Sequence, residues 1–96
     1  MFEIELRSPG DVVARGRLDA AQSDQAEAFL DQVEGEFVID LSELEYISSS
    51  GLGVLLKTHK RLHSAGSSLR LVHVNKHIND IFKYSGFDRL FDIQAD

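Results

Sequence analysis

Two hydrophobic periodicities alternate along this chain, and their order limits the fold more than any other feature. Phe2, Ile4 and Leu6 recur at every second residue, which is the period of a strand with one buried face. Turn-forming residues follow at 8–11, and a second strand-like stretch covers 12–18. The first two elements are therefore predicted to form an antiparallel hairpin.

The rest of the chain alternates between helix and strand patterns. Apolar residues at i, i+3, i+4 and i+7 predict a first helix over 21–33, and Gly35 stands where a helix commonly ends. The unbroken apolar run Phe37–Ile39 is typical of a strand that is buried on both faces. A polar connection is expected over 42–50. Helices are expected to begin near residues 21, 50 and 76, and further strands to lie near 36–41, 69–74 and 90–93.

The predicted order is β-β-α-β-α-β-α-β. Such alternation implies an α/β fold with a mixed sheet, in which the N-terminal hairpin adds an antiparallel pair to parallel strands. Leu55 and Leu56 are expected to pack under the second helix. With 96 residues, the chain is expected to form a single domain over 1–96.

Charge and composition exclude several functional classes. Ten basic and sixteen acidic residues give a net charge of −6, which disfavours binding to nucleic acid or to an anionic membrane surface. There is no cysteine, no apolar run of the roughly 20 residues needed to span a bilayer, and no signal-peptide pattern at the N-terminus. We expect a cytoplasmic protein without a metal or cofactor.

The most unusual segment is the run Ser48-Ser49-Ser50-Gly51-Leu52-Gly53, placed where the chain enters the second helix. The unpaired amides and the positive dipole end of a helix N-terminus stabilise an anion, including a phosphate attached to serine. One serine could instead serve only as the helix N-cap. The spacing matches neither a Walker loop nor a nucleophile elbow.

Five segments together resemble the STAS domain family, and more narrowly the single-domain bacterial anti-sigma factor antagonists. They are GRLD at 16–19, FVIDLS at 37–42, YISSSGLGVL at 46–55, GSSLRLVHV at 66–74 and IFKYSGF at 81–87. They cover nearly the whole chain, in an order that agrees with the fold predicted above. The resemblance implies a STAS fold and a regulatory binding protein that is not an enzyme.

The resemblance also implies a mechanism of partner switching. Unphosphorylated members bind an anti-sigma factor that is also a serine kinase, phosphorylated members release it, and a PP2C-type phosphatase resets them. The family's phosphoacceptor is the serine two positions before the glycine, which is Ser49 here, with Ser48 and Ser50 as alternatives. Ser48 stands where the family usually has an acidic residue. The surrounding switch region comprises Asp19, Asp40, Ser48, Ser50, Gly51, Leu52, Gly53 and Lys57.

Several of these residues have simpler structural interpretations. Asp19 could neighbour the phosphoacceptor or cap the first helix, and Asp40 could shape the switch loop or cap local amides. Lys57, with Lys60 and Arg61, forms a basic helix face that either contacts the partner or is simply solvated.

Two other functions remain as alternatives. One is a STAS scaffold subunit of a sensory complex or lipid-transport ATPase, without phosphorylation. The other is a small hydrolase with Ser49 as nucleophile, for which His59 and His63 are poorly placed along the same helix. The i, i+4 spacing of His59 and His63 could hold a metal ion, but there is no HExxH motif and no third ligand, so a half-buried structural role is expected for His59. Tyr46 and Tyr84 are expected to be packing residues.

Overall fold

The structure, a computed structural model, describes residues 1–95. The strands are β1 (Phe2–Ser8), β2 (Asp11–Leu18), β3 (Phe37–Asp40), β4 (Leu44–Ile47), β5 (Leu69–Val74) and β6 (Asp92–Ala95). The helices are α1 (Ser23–Leu30), α2 (Ser49–Ser64) and α3 (Lys76–Ser85), and short 3-10 turns cover Ala20–Gln22 and Phe87–Arg89.

The strands form one mixed sheet, as predicted, in the order β1-β2-β3-β5-β6. β1 and β2 are the predicted antiparallel hairpin, and the other strand pairs are parallel. β2 has the most neighbours, because β3 pairs with its first half and β4 with its second half. The predicted mixed α/β architecture is confirmed.

The polar connection predicted over 42–50 is wrong in one part, because it contains β4. Leu44 and Ile47 are buried, and the strand pairs with residues 16–18 of β2. The order therefore gains a strand, becoming β-β-α-β-β-α-β-α-β.

Two other boundaries differ from the prediction. Helix α1 begins only after the 3-10 turn and ends at Leu30. Val33 therefore lies in the segment after the helix, where it is still buried. The last strand begins at Asp92, two residues later than predicted, and Leu90 is exposed before it.

The helices all pack on one face of the sheet, where a single hydrophobic core lies. Alternate residues of the strands supply the sheet side of that core, among them Val12, Ala14 and Leu18 of β2. In β3, Phe37 and Ile39 are buried in it, but Val38 points to the other face and is only half-buried. The prediction that this strand is buried on both faces therefore holds only in part, since Asp40, on the same face as Val38, is buried but Val38 is not fully covered.

The opposite face is polar and is held by cross-strand ion pairs. Arg15 of β2 contacts Glu5 of β1 at 2.7 Å and Glu43, just before β4, at 3.2 Å. Arg70 of β5 contacts Asp92 of β6 at 3.1 Å in the same way. These pairs make the exposed part of this face polar, although Val13 and Asp40 on the same face are buried.

Candidate functional site

The serine run lies where the ends of β2 and β4 meet the start of α2. The Ser48 N–H donates to the Leu18 carbonyl at 2.9 Å, which ties the run to the last residue of β2. The Ser48 hydroxyl oxygen accepts a hydrogen bond from the Gly51 N–H at 3.1 Å. Ser48 is therefore the N-cap of α2, and its hydroxyl is committed to holding the turn.

Ser49 and Ser50 follow as the first two residues of α2, and both are exposed. In the part of the chain that the structure describes, the Ser49 hydroxyl makes no hydrogen bond. The first amides of a helix lack carbonyl partners within it, and the helix dipole is positive there. A negative group carried on Ser49 would thus lie at the helix end that favours it.

The two glycines of the run have different roles. A Cβ at Gly51 would lie 2.8 Å from Leu18 Cγ and 2.9 Å from Ile47 Cγ1, so the helix packs too closely on the strands for any side chain. A Cβ at Gly53 would meet nothing within 4 Å, and Gly53 is exposed. Leu52 is buried in the core, so the exposed part of the run consists of Ser49, Ser50 and Gly53.

Alanine substitutions should separate these two glycines with opposite signs. Gly51→Ala is expected to destabilise the protein by about 1–3 kcal/mol, because the methyl group overpacks a filled core. Gly53→Ala is the matched control and should stabilise it by about 0.5–1 kcal/mol through helix propensity alone. Urea denaturation measures both changes, and equal effects would show that the close approach at Gly51 is not a constraint.

Asp19 is brought beside the serine run, since it follows Leu18, the residue whose carbonyl binds Ser48. Its carboxylate accepts from the Gln22 N–H at 3.2 Å and so caps the 3-10 turn. Asp19 therefore caps the 3-10 turn that precedes α1, not α1 itself, and it lies next to the backbone link between Leu18 and Ser48, while its role beside Ser49 stays a prediction.

Asp40 is not brought to this site. It pairs with Val13 in the sheet, whereas Ile47 pairs with Leu18, and five residues of β2 correspond to about 16 Å. Its carboxylate accepts from the Ser42 N–H at 2.8 Å and from Arg7 at 3.0 Å. Burial raises the pKa of Asp40, but these hydrogen bonds outweigh it, and the pKa lies below its ordinary value. Asp40 caps the chain after β3.

Lys57 belongs to the contact between α1 and α2. Its ammonium lies 2.7 Å from Glu27 of α1, which raises its pKa, and it is eight residues from Ser49, about 12 Å along α2. Arg61 donates to the carbonyls of Leu30 and Val33, both at 2.8 Å, and so holds the end of α1. The basic face expected beside the serines is instead largely used to join the two helices.

The histidines of α2 do not reach Ser49. His59 is ten residues further along the helix, which is about 15 Å, and its ring packs edge-on against Phe91 at 5.3 Å. His63 stacks on His59 at 6.1 Å, one turn further away. Neither can act as a base for Ser49, so the geometry gives no support to the hydrolase alternative from this helix.

The two tyrosines differ from each other. Tyr46 lies under the Arg17 guanidinium, 4.6 Å from the ring centre, on the polar face of the sheet. Tyr84 is 96% exposed, so the prediction that it is a packing residue is wrong. Its place in α3 puts it on the face opposite the buried Ile78 and Phe82.

Asn75 has a second role that the sequence did not indicate. As predicted, it caps α3, its side-chain oxygen accepting from the Ile78 N–H at 3.0 Å. Its side-chain nitrogen also donates to the carbonyls of Leu41 and Leu44, at 3.3 and 2.8 Å. One side chain thus fixes α3 to the link between β3 and β4, which leads to the serine run.

Within residues 1–95, no three His, Asp or Glu side chains form a cluster that could hold a metal ion. Over the same residues, no helix has the length and hydropathy needed to cross a bilayer.

Sequence comparison assigns most of the chain to one family. A family model described as "Mlab, STAS domain" matches residues 4–93. A Bordetella bronchiseptica protein, BtrV, whose name assigns it provisionally to the anti-sigma factor antagonists, is 36% identical over 83 residues. That match covers 82% of this chain and 72% of BtrV.

Solved structures show the same fold at about 20% identity. A Thermotoga maritima protein, provisionally described as an anti-sigma factor antagonist, superposes with a TM-score of 0.81 over 99% of this chain and 86% of its own. The Bacillus antagonist SpoIIAA, solved unphosphorylated and phosphorylated, gives TM-scores of 0.67 and 0.70, covering 94% and 100% of this chain and 97% and 93% of SpoIIAA. With the family match, these likenesses confirm the resemblance seen in the sequence: the chain belongs to the STAS domain family.

Proposed function

We propose that this chain is an anti-sigma factor antagonist whose partner binding is switched by phosphorylation of Ser49. The observation that carries the proposal is the geometry of the serine run, in which Ser48 is used as a cap while Ser49 is exposed on the first turn of α2. The names of the relatives supply the partner class, and SpoIIAA has been solved in a phosphorylated form.

The proposed partners follow from the STAS resemblance. An anti-sigma factor with serine kinase activity binds the unphosphorylated chain and also modifies it, and a PP2C-type phosphatase removes the phosphate, both in the cytoplasm. The contact surface consists of Ser49, Ser50 and Gly53, flanked by Ser48 and Asp19. Because none of the three exposed residues is bulky, a partner can approach the first turn of α2 closely.

The proposed switch is electrostatic. A phosphate on Ser49 adds about −1.5 to −2 charges and three strong acceptors at a surface the partner must cover. The helix end stabilises this charge in the free protein, but in the complex the charge loses water, and an unpaired buried charge is strongly unfavourable. Moving the binding equilibrium from about 1:99 to 99:1 requires about 5.5 kcal/mol of differential affinity, a range that one buried dianion can supply.

Phosphate mapping on protein purified from the native host tests this proposal and does not require the kinase to be identified. The intact mass of the purified chain is measured before and after treatment with a PP2C-type phosphatase. We expect one phosphoryl group, removed by the enzyme, in wild type and in Ser48→Ala and Ser50→Ala, and none in Ser49→Ala. Loss in a neighbouring variant instead would move the site. No phosphate under any growth condition, with stable retention in a larger complex, would favour the scaffold alternative.

A further inference from the structure

Strand β1 forms an outer edge of the sheet, and its residue Leu6 is more exposed than the sequence pattern predicts. β1 has β2 on one side only, and within residues 1–95 no strand pairs with its other side. Its ladder with β2 is regular from Phe2 to Leu6 and shifts before Ser8. Leu6, which alternation places on the buried face, is 53% exposed. An edge strand of this length offers free backbone groups to another strand.

A groove lies beside Leu6 on the helix-covered face of the sheet. It has a volume of about 220 Å³ and is lined by Leu6, Phe29, Gln32, Val33, Glu34 and Phe37. Phe29 is partly buried and closes the groove from α1, while Phe37 and Val33 are part of the core. A side chain that entered the groove would contact apolar groups on several sides.

Within residues 1–95, exposed acids without an ion-pair partner lie on both faces of the sheet near this edge, one of them in the groove wall. Glu3 of β1, Glu34 in the groove wall and Glu36 are exposed, and none of them has an ion-pair partner in the described residues. Glu36 lies next to the β1–β2 turn, since its carbonyl would be 3.2 Å from a Cβ at Gly10. The groove wall therefore carries one unpaired acid, Glu34, and Glu3 adds a second on the opposite face of the edge strand.

We propose that β1 binds an extended segment of another protein in which apolar and basic residues alternate, and that this segment joins the sheet as an added strand. Residues that face each other across two strands lie on the same face. Apolar residues opposite Ile4 and Leu6 would cover Leu6 and enter the groove, while lysine or arginine opposite Glu3 would meet an unpaired acid. Glu5 already binds Arg15 at 2.7 Å and adds less to this attraction. This surface is separate from the serine run and does not depend on the function proposed for it.

Charge argues against a second copy of this chain as the occupant. Two antiparallel β1 strands bring the acidic residues Glu3 and Glu5 of both copies onto one face. The only basic residue of the strand, Arg7, already bonds Asp11 and Asp40, both at 3.0 Å. A basic segment from a different protein meets the same edge without that repulsion.

The test uses a blocked synthetic heptapeptide of alternating lysine and valine, added to the isotope-labelled full chain. Binding is followed through amide chemical shifts and through hydrogen exchange of β1. We expect shifts confined to β1 and the groove, and slower exchange of those β1 amides that do not bond β2. Two control peptides should bind at least about tenfold more weakly: one with glutamate for lysine, and one with N-methylated backbone amides on the pairing edge.

Two protein variants complete the test. Leu6→Lys adds a charge at the groove and should weaken peptide binding by about tenfold or more, whereas Leu90→Lys is the matched control and should leave it within about twofold. Leu90 is similarly exposed, at 47%, and does not line the groove. Both variants should remain folded, as judged from their amide spectra.

Four outcomes would overturn the proposal. The first is the absence of β1 shifts at about 1 mM peptide, a concentration that detects even weak binding. The second is equal binding of the glutamate peptide, and the third is an equal effect of Leu6→Lys and Leu90→Lys on peptide binding. The fourth is a dimer, seen in sedimentation, that Leu6→Lys abolishes. The last result would assign the edge to a second copy of this chain.

Discussion

Ser49→Glu should weaken binding to the partner anti-sigma factor by about 100-fold, equivalent to about 2.8 kcal/mol, while Ser49→Ala should change it by no more than about threefold. Alanine keeps a small neutral surface at the first turn of α2. Glutamate places a charge where the partner must exclude water, and buried unpaired charge is costly. The effect of phosphate should be larger, since glutamate carries one charge and two oxygens. Titration calorimetry with the purified anti-sigma factor measures the affinities of the wild-type, Ser49→Ala and Ser49→Glu proteins.

Two controls separate a switch from unfolding. An acid at this helix end should stabilise the free protein by about 0.3–1 kcal/mol, so the melting temperature of Ser49→Glu should not fall. Ser50→Glu carries the same charge about 100° further around the helix and should weaken binding less. A lower melting temperature, or an equal loss of affinity in Ser50→Glu, would contradict the assignment of the switch to Ser49.

Leu55→Ala should lower the free energy of unfolding by about 2–5 kcal/mol, which is a large fraction of the roughly 5–15 kcal/mol typical of a small domain. Leu55 is only 2% exposed and lies under α2 in the core that all three helices share. The substitution removes buried methyl groups and leaves a cavity that its neighbours fill only in part. Urea denaturation followed by circular dichroism measures the change.

Leu56→Ala is the control for the orientation of α2. Leu56 is only partly buried against the core, so its loss should be about 1 kcal/mol. If Leu56→Ala destabilised the protein more than Leu55→Ala did, the rotation of α2 about its axis would differ from the one described.

Much of the fold could be predicted because it depends on local patterns. The period-two hairpin, the helix stripe ending in Phe82 and the cap at Asn75 are each encoded within a few residues, and each lies where the sequence placed it. The first turn of α2 was predicted for the same reason, since serine and glycine have strong positional preferences at a helix start.

What could not be predicted depends on partners distant in sequence. β4 has no clear pattern of its own and is a strand only because residues 16–18 of β2 lie beside it. Lys57 belongs to the α1–α2 contact only because Glu27 approaches it from a helix thirty residues earlier. Likewise, the exposure of Leu6 depends on the position of β1 at the sheet edge, which alternation alone does not reveal.

The double anchoring of Ser48, to Leu18 through its amide and to Gly51 through its hydroxyl, has a consequence for the rates of association. A turn that is already ordered gives up little conformational entropy when a partner covers it, so binding does not wait for a loop to fold. Association of the unmodified protein should therefore not be slowed by the ordering of this turn. A phosphate on Ser49 would change the rates of binding through its charge and not through the ordering of this turn.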